Sequence, residues 1–284
     1  MDDIIELDYH NQDMRKAMIE AMKFWVRKCG IDGFRCDLAF WVGLDFWLEA
    51  IPQVNELKPL FWLAEADSLQ FPEYMQVFDA AYAWTWMHKT EEWYKQKLPL
   101  NTLTQVLDDY ENVPGMRAWF TSNHDENSWN GSEYEKYGVS AKALAVHSCT
   151  WQGIPLIYSG QELPNKKRLK FFDKDVIEWK KPCELHGFYR TLLHLQHNNP
   201  ALNAKSDLFR LHANCDANVL AYLRKKGEYE VIVFLNLCDH AVRFDVLDNW
   251  VRGKFSEAFM HYENDFSENR SFKMNAWEWM VWVK

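Results

Sequence analysis

Three acidic side chains stand where the strands of a parallel sheet would place catalytic groups. Asp37, Glu65 and Asp125 each follow a short apolar run of the sequence. In βα folds the carboxyl ends of parallel strands meet at one edge, and catalytic residues gather there. A single acid at such a position is more often a helix cap or a solvated charge, and His124 with Asp125 could simply cap the following helix. Three acids at equivalent positions instead favour one shared pocket.

The surroundings of Asp37 and Glu65 suggest different protonation states for the two acids. Arg35 precedes Asp37 by two residues, so a strand directs both side chains to one face, where the cation favours an ionised Asp37. Glu65 follows the apolar residues 61–64, whose desolvation would favour the protonated acid. One ionised and one protonated carboxyl group can together hydrolyse a glycosidic bond. An ordinary buried ion pair between Arg35 and Asp37 is the alternative.

The elements that position these acids alternate between helices and apolar runs. From Asn11 onward an apolar stripe of Met14, Met18, Met22 and Trp25 recurs at helical spacing, and Gly30 is typical of a helix end, so we predict a helix over 11–29. We further predict helices over 46–57, 139–152 and 187–197, and strands over 31–37, 60–65, 116–121 and 154–158. Strands separated by helices of this length pair in parallel, so the body of the protein is predicted to be α/β.

After Asn199 and Pro200 the hydrophobic period changes to two. Alternating or apolar segments separated by turn-rich breaks occupy 208–211, 219–224, 230–237, 241–246 and 277–283. Lys226 and Gly227 form a plausible hairpin turn between two of these segments. We therefore predict two domains, an α/β domain over 1–203 and an antiparallel β-sandwich over 204–284.

The net charge and the spacing of the cysteines narrow the classes of binding partner and the cellular compartment that we expect for this protein. The 284 residues include 41 acidic and 32 basic ones, a net charge of −9, which opposes binding to nucleic acid. The longest apolar stretches fall short of the roughly 18 residues that span a bilayer, so we expect no membrane helix. The six cysteines lie far apart without metal-binding spacing and favour a reducing, cytoplasmic location. The acidic segment Met1–Asp8 does not resemble a targeting signal.

Aromatic residues are unusually frequent. The chain contains 15 Trp, 12 Tyr and 18 Phe residues. Most of these rings are expected to fill the core, where aromatic side chains dominate burial. The aromatic residues beyond those that fill the core are expected to provide flat surfaces on which sugar rings can stack.

Several motifs, in order along the chain, resemble the α-amylase family, glycoside hydrolase family 13. The segments Gly33–Asp37, Leu63–Glu65 and Phe120–Asp125 resemble its second, third and fourth signature regions. Gly153–Glu162 resembles the segment around the eighth strand of the family's barrel. Further matches are Phe78-Asp79, Tyr82-Ala83-Trp84 and Asn199-Pro200-Ala201-Leu202. The resemblance implies a fold made of a partial (β/α)8 TIM barrel, about its fourth to eighth strands, followed by the family's antiparallel β-sandwich domain.

The resemblance also implies roles for the acids. Asp37 matches the nucleophile and Glu65 the general acid/base of a retaining mechanism, in which the two carboxyl groups stand roughly 5 Å apart. Asp125 matches the acid that holds and distorts the sugar at the cleaved bond. Their neighbours Arg35, Asn123 and His124 match substrate-binding residues of the family. The implied substrate is an α-glucan or maltooligosaccharide, with a non-catalytic carbohydrate-binding or scaffold relative as the alternative function.

The sequence departs from the family pattern in its set of barrel strands and in residues that bind metal in many amylases. Three strands, the first signature region and an inserted domain have no counterpart, so Met1 is interpreted as a truncated start and the segment alone as a poor enzyme. Phe40 and Trp41 occupy positions where many amylases carry a Lys and a His, so we expect neither calcium nor another cofactor. His194 and His197 are interpreted as a solvated helix face rather than a metal site.

Overall fold

The computed structural model describes residues 5–284 and divides the chain into two compact units. The first comprises the residues up to Trp84 together with Asp109–Arg117, and the second comprises Thr85–Asp108 and Ala118–Lys284. Part of the segment Met1–Asp8, predicted not to be a targeting signal, lies outside the described residues. Among the helices of residues 5–284, none is long and apolar enough to cross a membrane.

Helices and parallel strands alternate in the first unit. They are α1 (Gln12–Cys29), β1 (Gly33–Cys36), α2 (Leu44–Asn55), β2 (Phe61–Asp67) and β3 (Ala80–Tyr82). β1 pairs in parallel with β2, and β2 pairs in parallel with β3. The predicted helices over 11–29 and 46–57 and the predicted strands over 31–37 and 60–65 are thereby confirmed, with slightly different ends. The short β3 was matched only as a family segment, because three residues show no period of their own.

α1 begins and ends where capping residues allow it. The Asn11 side chain accepts the N–H groups of the first turn, and Gly30 closes the helix with φ of 64° and an N–H donated to Val26. Ile19 and Val26 are buried, whereas Trp25 is 52% exposed, so the predicted apolar stripe is wrong at its last member. Trp25 is rotated by about 100° from Val26, which turns its ring away from the buried face.

The core of the first unit fixes β1 against β2. Phe34 of β1 stacks on Trp62 of β2 with ring centroids 4.9 Å apart. The Trp62 indole N–H donates to Asn55 at the end of α2, at 3.0 Å. Buried aromatic pairs of this kind contribute about 0.5–1.5 kcal/mol beyond the area that they bury. The carboxyl ends of the two strands are therefore held at one edge.

The next helices and a short parallel pair of strands lie mainly in the second unit. In chain order the next elements are α3 (Trp84–Gln96), α4 (Asn101–Glu111), β4 (Met116–Trp119), α5 (His124–Trp129), α6 (Glu133–Tyr137), α7 (Ala141–Thr150), β5 (Ile154–Pro155) and α8 (His186–Asn198). β4 pairs with β5 in parallel. The strand predicted over 154–158 is wrong in length, because the chain turns and Tyr158 donates its N–H to the Gln161 side chain at 2.6 Å.

Antiparallel strands make up the rest of the chain. They are β6 (Asp207–Leu211), β7 (Val219–Lys226), β8 (Tyr229–Asn236), β9 (Val242–Asp245), β10 (Lys254–Glu257), β11 (Glu263–Asp265), β12 (Ser271–Met274) and β13 (Trp279–Val283). Six of them form a sheet in the order β11-β10-β13-β8-β7-β6, and β12 pairs with β9. The five predicted strands and the hairpin at Lys226 and Gly227 are confirmed. The boundary between residues 203 and 204 falls inside the second unit and stays a prediction.

A fully buried arginine ties the α/β part of the second unit to its antiparallel sheet. Arg224 of β7 donates to the carbonyl of Thr150 at 2.8 Å and to that of Asn203 at 2.7 Å. Burial lowers the pKa of Arg224 to about 10, so the side chain stays charged at neutral pH. The Thr150 hydroxyl also contacts the Tyr222 hydroxyl at 2.5 Å. β7 and the end of α7 are thus joined by polar contacts that burial strengthens.

A buried histidine in α7 predicts a dependence of stability on pH. His147 stacks on Trp86, with centroids 4.2 Å apart, and neither ring nitrogen has a partner among the described residues. Burial, aided by the charge of Arg210, lowers its pKa from 6.5 to about 3. The unfolded state therefore takes up the proton first, and stability that is complete above pH 6.5 declines as the pH falls from 6.5 towards 3.

We expect the His147→Phe variant to lose this component of acid sensitivity. Each pH unit within that window should cost the wild type about 1.4 kcal/mol of unfolding free energy through this one group. Urea unfolding of both proteins at pH 7.5 and pH 5.0 measures the difference, and the loss between the two values should be smaller in the variant by about 2 kcal/mol. An equal loss in both proteins would refute the assignment to His147.

Candidate active site

The Arg35 guanidinium contacts two of the three predicted catalytic acids, Asp37 and Glu65. Arg35 lies on β1 opposite Leu63 of β2, which places it beside Glu65 two residues further on. Its Nη2 lies 2.9 Å from Oε1 of Glu65, and its Nη1 contacts Oδ1 of Asp37. The structure therefore brings Arg35, Asp37 and Glu65 together at the carboxyl ends of two adjacent strands, as the alternation of side chains predicts.

The two carboxylates have different surroundings. The Asp37 side chain is 71% exposed, whereas that of Glu65 is 8% exposed. The second oxygen of Glu65 accepts the backbone N–H of Leu38 at 2.7 Å. One Glu65 oxygen thus accepts a backbone N–H, and the other lies beside the Arg35 cation. The prediction that desolvation keeps Glu65 protonated stays a prediction.

Leu38 owes its contact with Glu65 to an unusual backbone conformation. Its φ of 39° and ψ of 47° lie in the left-handed region, which a branched side chain such as leucine rarely adopts. The conformation turns the chain directly after Asp37 and aims the Leu38 N–H at Glu65. Backbone strain of this kind costs about 1–3 kcal/mol and clusters at functional sites. Sequence reasoning missed this donor, because a backbone N–H carries no signature in the side-chain pattern.

Tyr82 holds Arg35 from the other side. The Arg35 Nε–H donates to the Tyr82 hydroxyl at 3.4 Å, and its guanidinium lies 5.8 Å from the centre of the Tyr82 ring. Burial alone would lower the pKa of Arg35, but the hydrogen bonds to Tyr82 and Asp37 and the charge of Glu65 outweigh it and raise that pKa. Arg35 is therefore a permanent cation. The Tyr82 ring in turn stacks on Trp84, with centroids 5.7 Å apart.

In the second unit, Asn123, His124 and Asp125 lie together at the start of α5. The buried Asn123 side chain caps the helix by accepting the N–H groups of Asp125 at 3.0 Å and Glu126 at 2.8 Å. The alternative that His124 and Asp125 form the cap is thus wrong, because Asn123 fills that position. The predicted role of Asn123 in substrate binding stays a prediction, and its amide nitrogen has no partner among the described residues.

The side chains of His124 and Asp125 remain accessible. Nε2 of His124 lies 3.4 Å from Oδ2 of Asp125, and their side chains are 54% and 29% exposed. Burial, and then the charge of Asp125, raises the pKa of the nearby Tyr158. Tyr158 therefore stays protonated and can donate a hydrogen bond. An acid, an imidazole and a phenol can thus contact hydroxyl groups of a ligand.

A buried ion pair supports α5 from beneath. Nζ of Lys136 lies 2.8 Å from Oε2 of Glu126, and both side chains are almost fully buried. The other oxygen of Glu126 accepts the Asn130 amide at 2.8 Å. A buried pair with all its oxygens occupied fixes geometry more than it stabilises the fold. It holds in place the short helix that carries Asp125.

Three exposed aromatic rings cluster at the end of α5. Trp129 lies 4.9 Å from Phe171 and 5.9 Å from Phe172 between ring centroids. The Asn127 side chain accepts the Leu169 N–H at 2.9 Å, which holds the loop that carries the two phenylalanines. The three rings are 43–73% exposed. Sequence reasoning missed this cluster, because its members lie some forty residues apart and share no spacing signal.

The described residues hold few candidates for a metal site. Within residues 5–284 no three His, Cys, Asp or Glu side chains are grouped so that they could bind a metal ion. His194 and His197 are both exposed on α8, as expected for a solvated face. Phe40 stacks on Phe71 with ring centroids 4.6 Å apart. An apolar contact therefore occupies the position at which many amylases carry a Lys.

Comparison with known sequences identifies relatives of this chain. The family model of the α-amylase catalytic domain matches residues 1–57. The α-amylase MalA of Haloarcula japonica is 26% identical to this chain, in an alignment that covers 82% of this chain and 35% of the relative. The maltogenic α-amylase of Bacillus acidopullulyticus is 25% identical, in an alignment that covers 89% of this chain and 46% of the relative. The chain thus spans about a third to a half of the length of these relatives.

Solved structures show the same fold. The maltogenic α-amylase AmyB of Thermotoga neapolitana superposes with a TM-score of 0.87 at 22% identity and covers 99% of this chain and 68% of that one. An α-amylase of Geobacillus thermoleovorans in complex with acarbose gives a TM-score of 0.84 at 17% identity, with 98% of this chain and 65% of that one covered. These matches confirm the predicted class, part of a (β/α)8 barrel followed by an antiparallel β domain. The chain is thus similar to members of the α-amylase family, as its motifs predicted.

Proposed function

We propose that the protein is a retaining glycoside hydrolase that cleaves α-glucosidic bonds in starch-like or maltooligosaccharide substrates. The observation that carries the proposal is the Arg35 guanidinium, which contacts an exposed Asp37 and a buried Glu65 at adjacent strand ends. A permanent cation beside both acids offsets their mutual repulsion and favours the ionised form of the exposed Asp37, as a nucleophile requires. The names of the relatives, α-amylase and maltogenic α-amylase, support a glucan as substrate.

In the proposed mechanism Asp37 is the nucleophile and Glu65 the general acid/base. Oδ of Asp37 attacks the anomeric carbon while Glu65 gives its proton to the leaving glycosidic oxygen, which produces a glycosyl–Asp37 ester and a free sugar end. Glu65 then takes a proton from water, the hydroxide oxygen attacks the anomeric carbon, and the carboxylate of Asp37 leaves. The fixed charge of Arg35 stabilises the Asp37 carboxylate before it attacks and when it leaves. Two inversions retain the α configuration.

Asp125, His124 and Asn123 are proposed to bind the sugar. Hydroxyl groups of a pyranose can donate to the partly exposed Asp125 carboxylate and accept from the His124 ring. Such contacts orient the ring as positive charge develops at the anomeric carbon. The capping bond from Asn123 fixes the first turn of α5 and thereby the direction of Asp125.

The stereochemistry of the first product tests the mechanism. Proton NMR of maltohexaose during its hydrolysis by this chain should show the α-anomer of the new reducing end before mutarotation produces the β-anomer. Early accumulation of the β-anomer would show inversion and overturn the glycosyl–Asp37 step, because an inverting enzyme forms no covalent intermediate.

The exposed aromatic cluster around Trp129 provides a prediction on substrate affinity. Trp129 follows Asp125 by four residues on α5, so both side chains lie on one side of the helix. We expect Trp129→Ala to raise KM for maltohexaose about tenfold with little change in kcat, since about 1.4 kcal/mol of stacking is lost. Steady-state kinetics measure the effect, with Trp250→Ala as the control for an exposed ring of the β domain. A drop confined to kcat would contradict a role in binding.

A sugar-binding relative without activity is the second candidate. One oxygen of Glu65 accepts the Leu38 N–H and the other lies 2.9 Å from the Arg35 guanidinium, which is also the arrangement of a structural ion pair. Binding of maltohexaose without release of new reducing ends, under conditions in which the sugar saturates the protein, would favour this candidate over hydrolysis.

A further inference from the structure

A cavity of about 500 Å³ lies in the second unit and includes none of the proposed catalytic residues in its lining. Its walls come from the end of α3, the loop before α4 and three loops of the β domain. The side chains that matter below are Trp93, Tyr94, Lys97, Asn218, Asp239 and Trp277. The volume falls within the range of about 300–1,000 Å³ that is typical of small-molecule sites.

Aromatic rings from distant parts of the chain form one wall. The Trp277 ring centroid lies 5.8 Å from that of Trp93 and 5.7 Å from that of Tyr94. The planes meet at 83° and 60°, so the rings pack edge to face or tilted rather than face to face. Trp93 is buried and anchors the group, whereas Tyr94 and Trp277 are partly exposed. An edge-to-face arrangement of this kind can leave a ring face free for a ligand.

Two residues of the wall adopt strained backbone conformations. Lys97 has a φ of 53° and Trp277 a φ of 59°, and they are two of the four non-glycine residues with positive φ in residues 5–284. For a bulky residue such as tryptophan this conformation is a true outlier. It persists because the Trp277 N–H donates to the carbonyl of Cys238 at 3.2 Å. A third of the four, Leu38, stands beside Glu65, so strain accompanies both sites.

The charged residues in the lining of the cavity are Lys95, Lys97 and Asp239. Asp239 is exposed, and its hydrogen bond with His240 lowers the pKa of its carboxyl, which is therefore ionised at neutral pH. Lys97 supplies a cation whose charge also acts on Asp239. Asn218 adds an amide. Because Nζ of Lys95 is paired with Oε1 of Glu91 at 2.5 Å, the polar groups that remain for a ligand are Lys97, Asp239 and Asn218. Beside partly exposed ring faces, these groups suit an uncharged ligand with many hydroxyl groups.

We propose that this cavity is a second sugar-binding site that takes a short α-glucan segment, with a pyranose stacked on Trp277 and its hydroxyl groups bonded to Asn218 and Asp239. A pyranose ring combines an apolar C–H face with a rim of hydroxyl groups, which is the combination that the wall presents. The choice of an α-glucan rests on the proposed function, whereas the cavity and its rings do not. The site would hold a long glucan on the protein independently of its hydrolysis.

Trp277→Gly is the variant that tests the site, because glycine adopts positive φ without strain and the backbone turn is kept. In the two-dimensional NMR spectrum of the ¹⁵N-labelled chain, the indole signal lost in this variant identifies Trp277. Titration with maltotriose should shift that signal in the wild type, and cellotriose of equal length should not. Trp25→Ala, which removes an exposed ring of α1, serves as the matched control.

We expect Trp277→Gly to weaken binding of maltotriose at this site at least tenfold, and Asn218→Ala to weaken it several-fold, with unfolding midpoints close to that of the wild type. An unmoved Trp277 signal at saturating maltotriose, or an equal response to cellotriose, overturns the proposal. A change in sedimentation of the Trp277→Gly variant would instead show a contact between two copies of the chain, which also overturns it.

Hydrolysis is measured on the same samples, so the two proposals can fail separately. A chain that hydrolyses maltohexaose but shows no shift at Trp277 keeps the proposed function and loses the cavity site. A chain that shifts at Trp277 with maltotriose but releases no reducing ends keeps the cavity site and loses the hydrolase.

Discussion

Asp37→Asn should lower kcat/KM for maltohexaose by about 10⁴-fold or more. The amide is a poor nucleophile and forms no stable glycosyl ester, and removal of a nucleophile that acts as part of a unit costs losses of this order. Asp37 is largely exposed, so the change leaves no charge buried and unpaired in its place. Arg35 keeps its pair with Glu65. The loss should therefore come from chemistry, with little change in the free energy of unfolding.

Asp32→Asn is the matched control for that experiment. Asp32 lies just before β1, its side chain is 96% exposed, and its partner is Lys58. Surface pairs of this kind are worth about 0–1 kcal/mol, so activity and stability should both stay near the wild-type values. Reducing-end release gives the rates, and urea unfolding gives the stability of both variants. Retention of a tenth of the wild-type activity by Asp37→Asn would exclude Asp37 as the nucleophile.

The arrangement around Asp37 shows how far sequence reasoning reaches. Period-two alternation in β1 correctly set Arg35 and Asp37 on one face, because side-chain direction in a strand is fixed by the backbone. The apolar spacing and Gly30 likewise gave α1 almost to the residue. The left-handed turn at Leu38 was not predictable, since leucine disfavours it and only the tertiary structure imposes it. The donor that fixes Glu65 therefore emerges from folding and not from the motif.

Long-range contacts set the second limit. Trp129 meets Phe171 in the loop that Asn127 holds through the Leu169 N–H, and no local period marks that contact. Trp277 likewise meets Trp93 from the far end of the chain. The sequence did predict an excess of rings for sugar stacking, but composition cannot say which rings stay exposed. Only the positions of the loops decide that.

Glu65→Gln should produce a loss that depends on the leaving group. With maltohexaose the departing oxygen needs a proton, so the variant should lose about 10³-fold or more in kcat/KM. With a 2,4-dinitrophenyl α-glycoside the leaving group departs as a stable anion, and formation of the glycosyl–Asp37 ester should remain near the wild-type rate. Hydrolysis of that ester still needs a base, so the ester should accumulate after an initial burst and be visible by mass spectrometry.

Azide separates a missing base from a damaged site. As a small anion it can attack the anomeric carbon of the glycosyl–Asp37 ester without deprotonation, which forms an α-glycosyl azide and frees Asp37. Rates with the dinitrophenyl substrate should therefore rise with azide concentration in Glu65→Gln and not in the wild type. Because glutamine still offers Leu38 an oxygen acceptor, the strand ends should keep their positions. Equal losses on both substrates without azide rescue would show that Glu65 only positions Arg35, as a structural ion pair would.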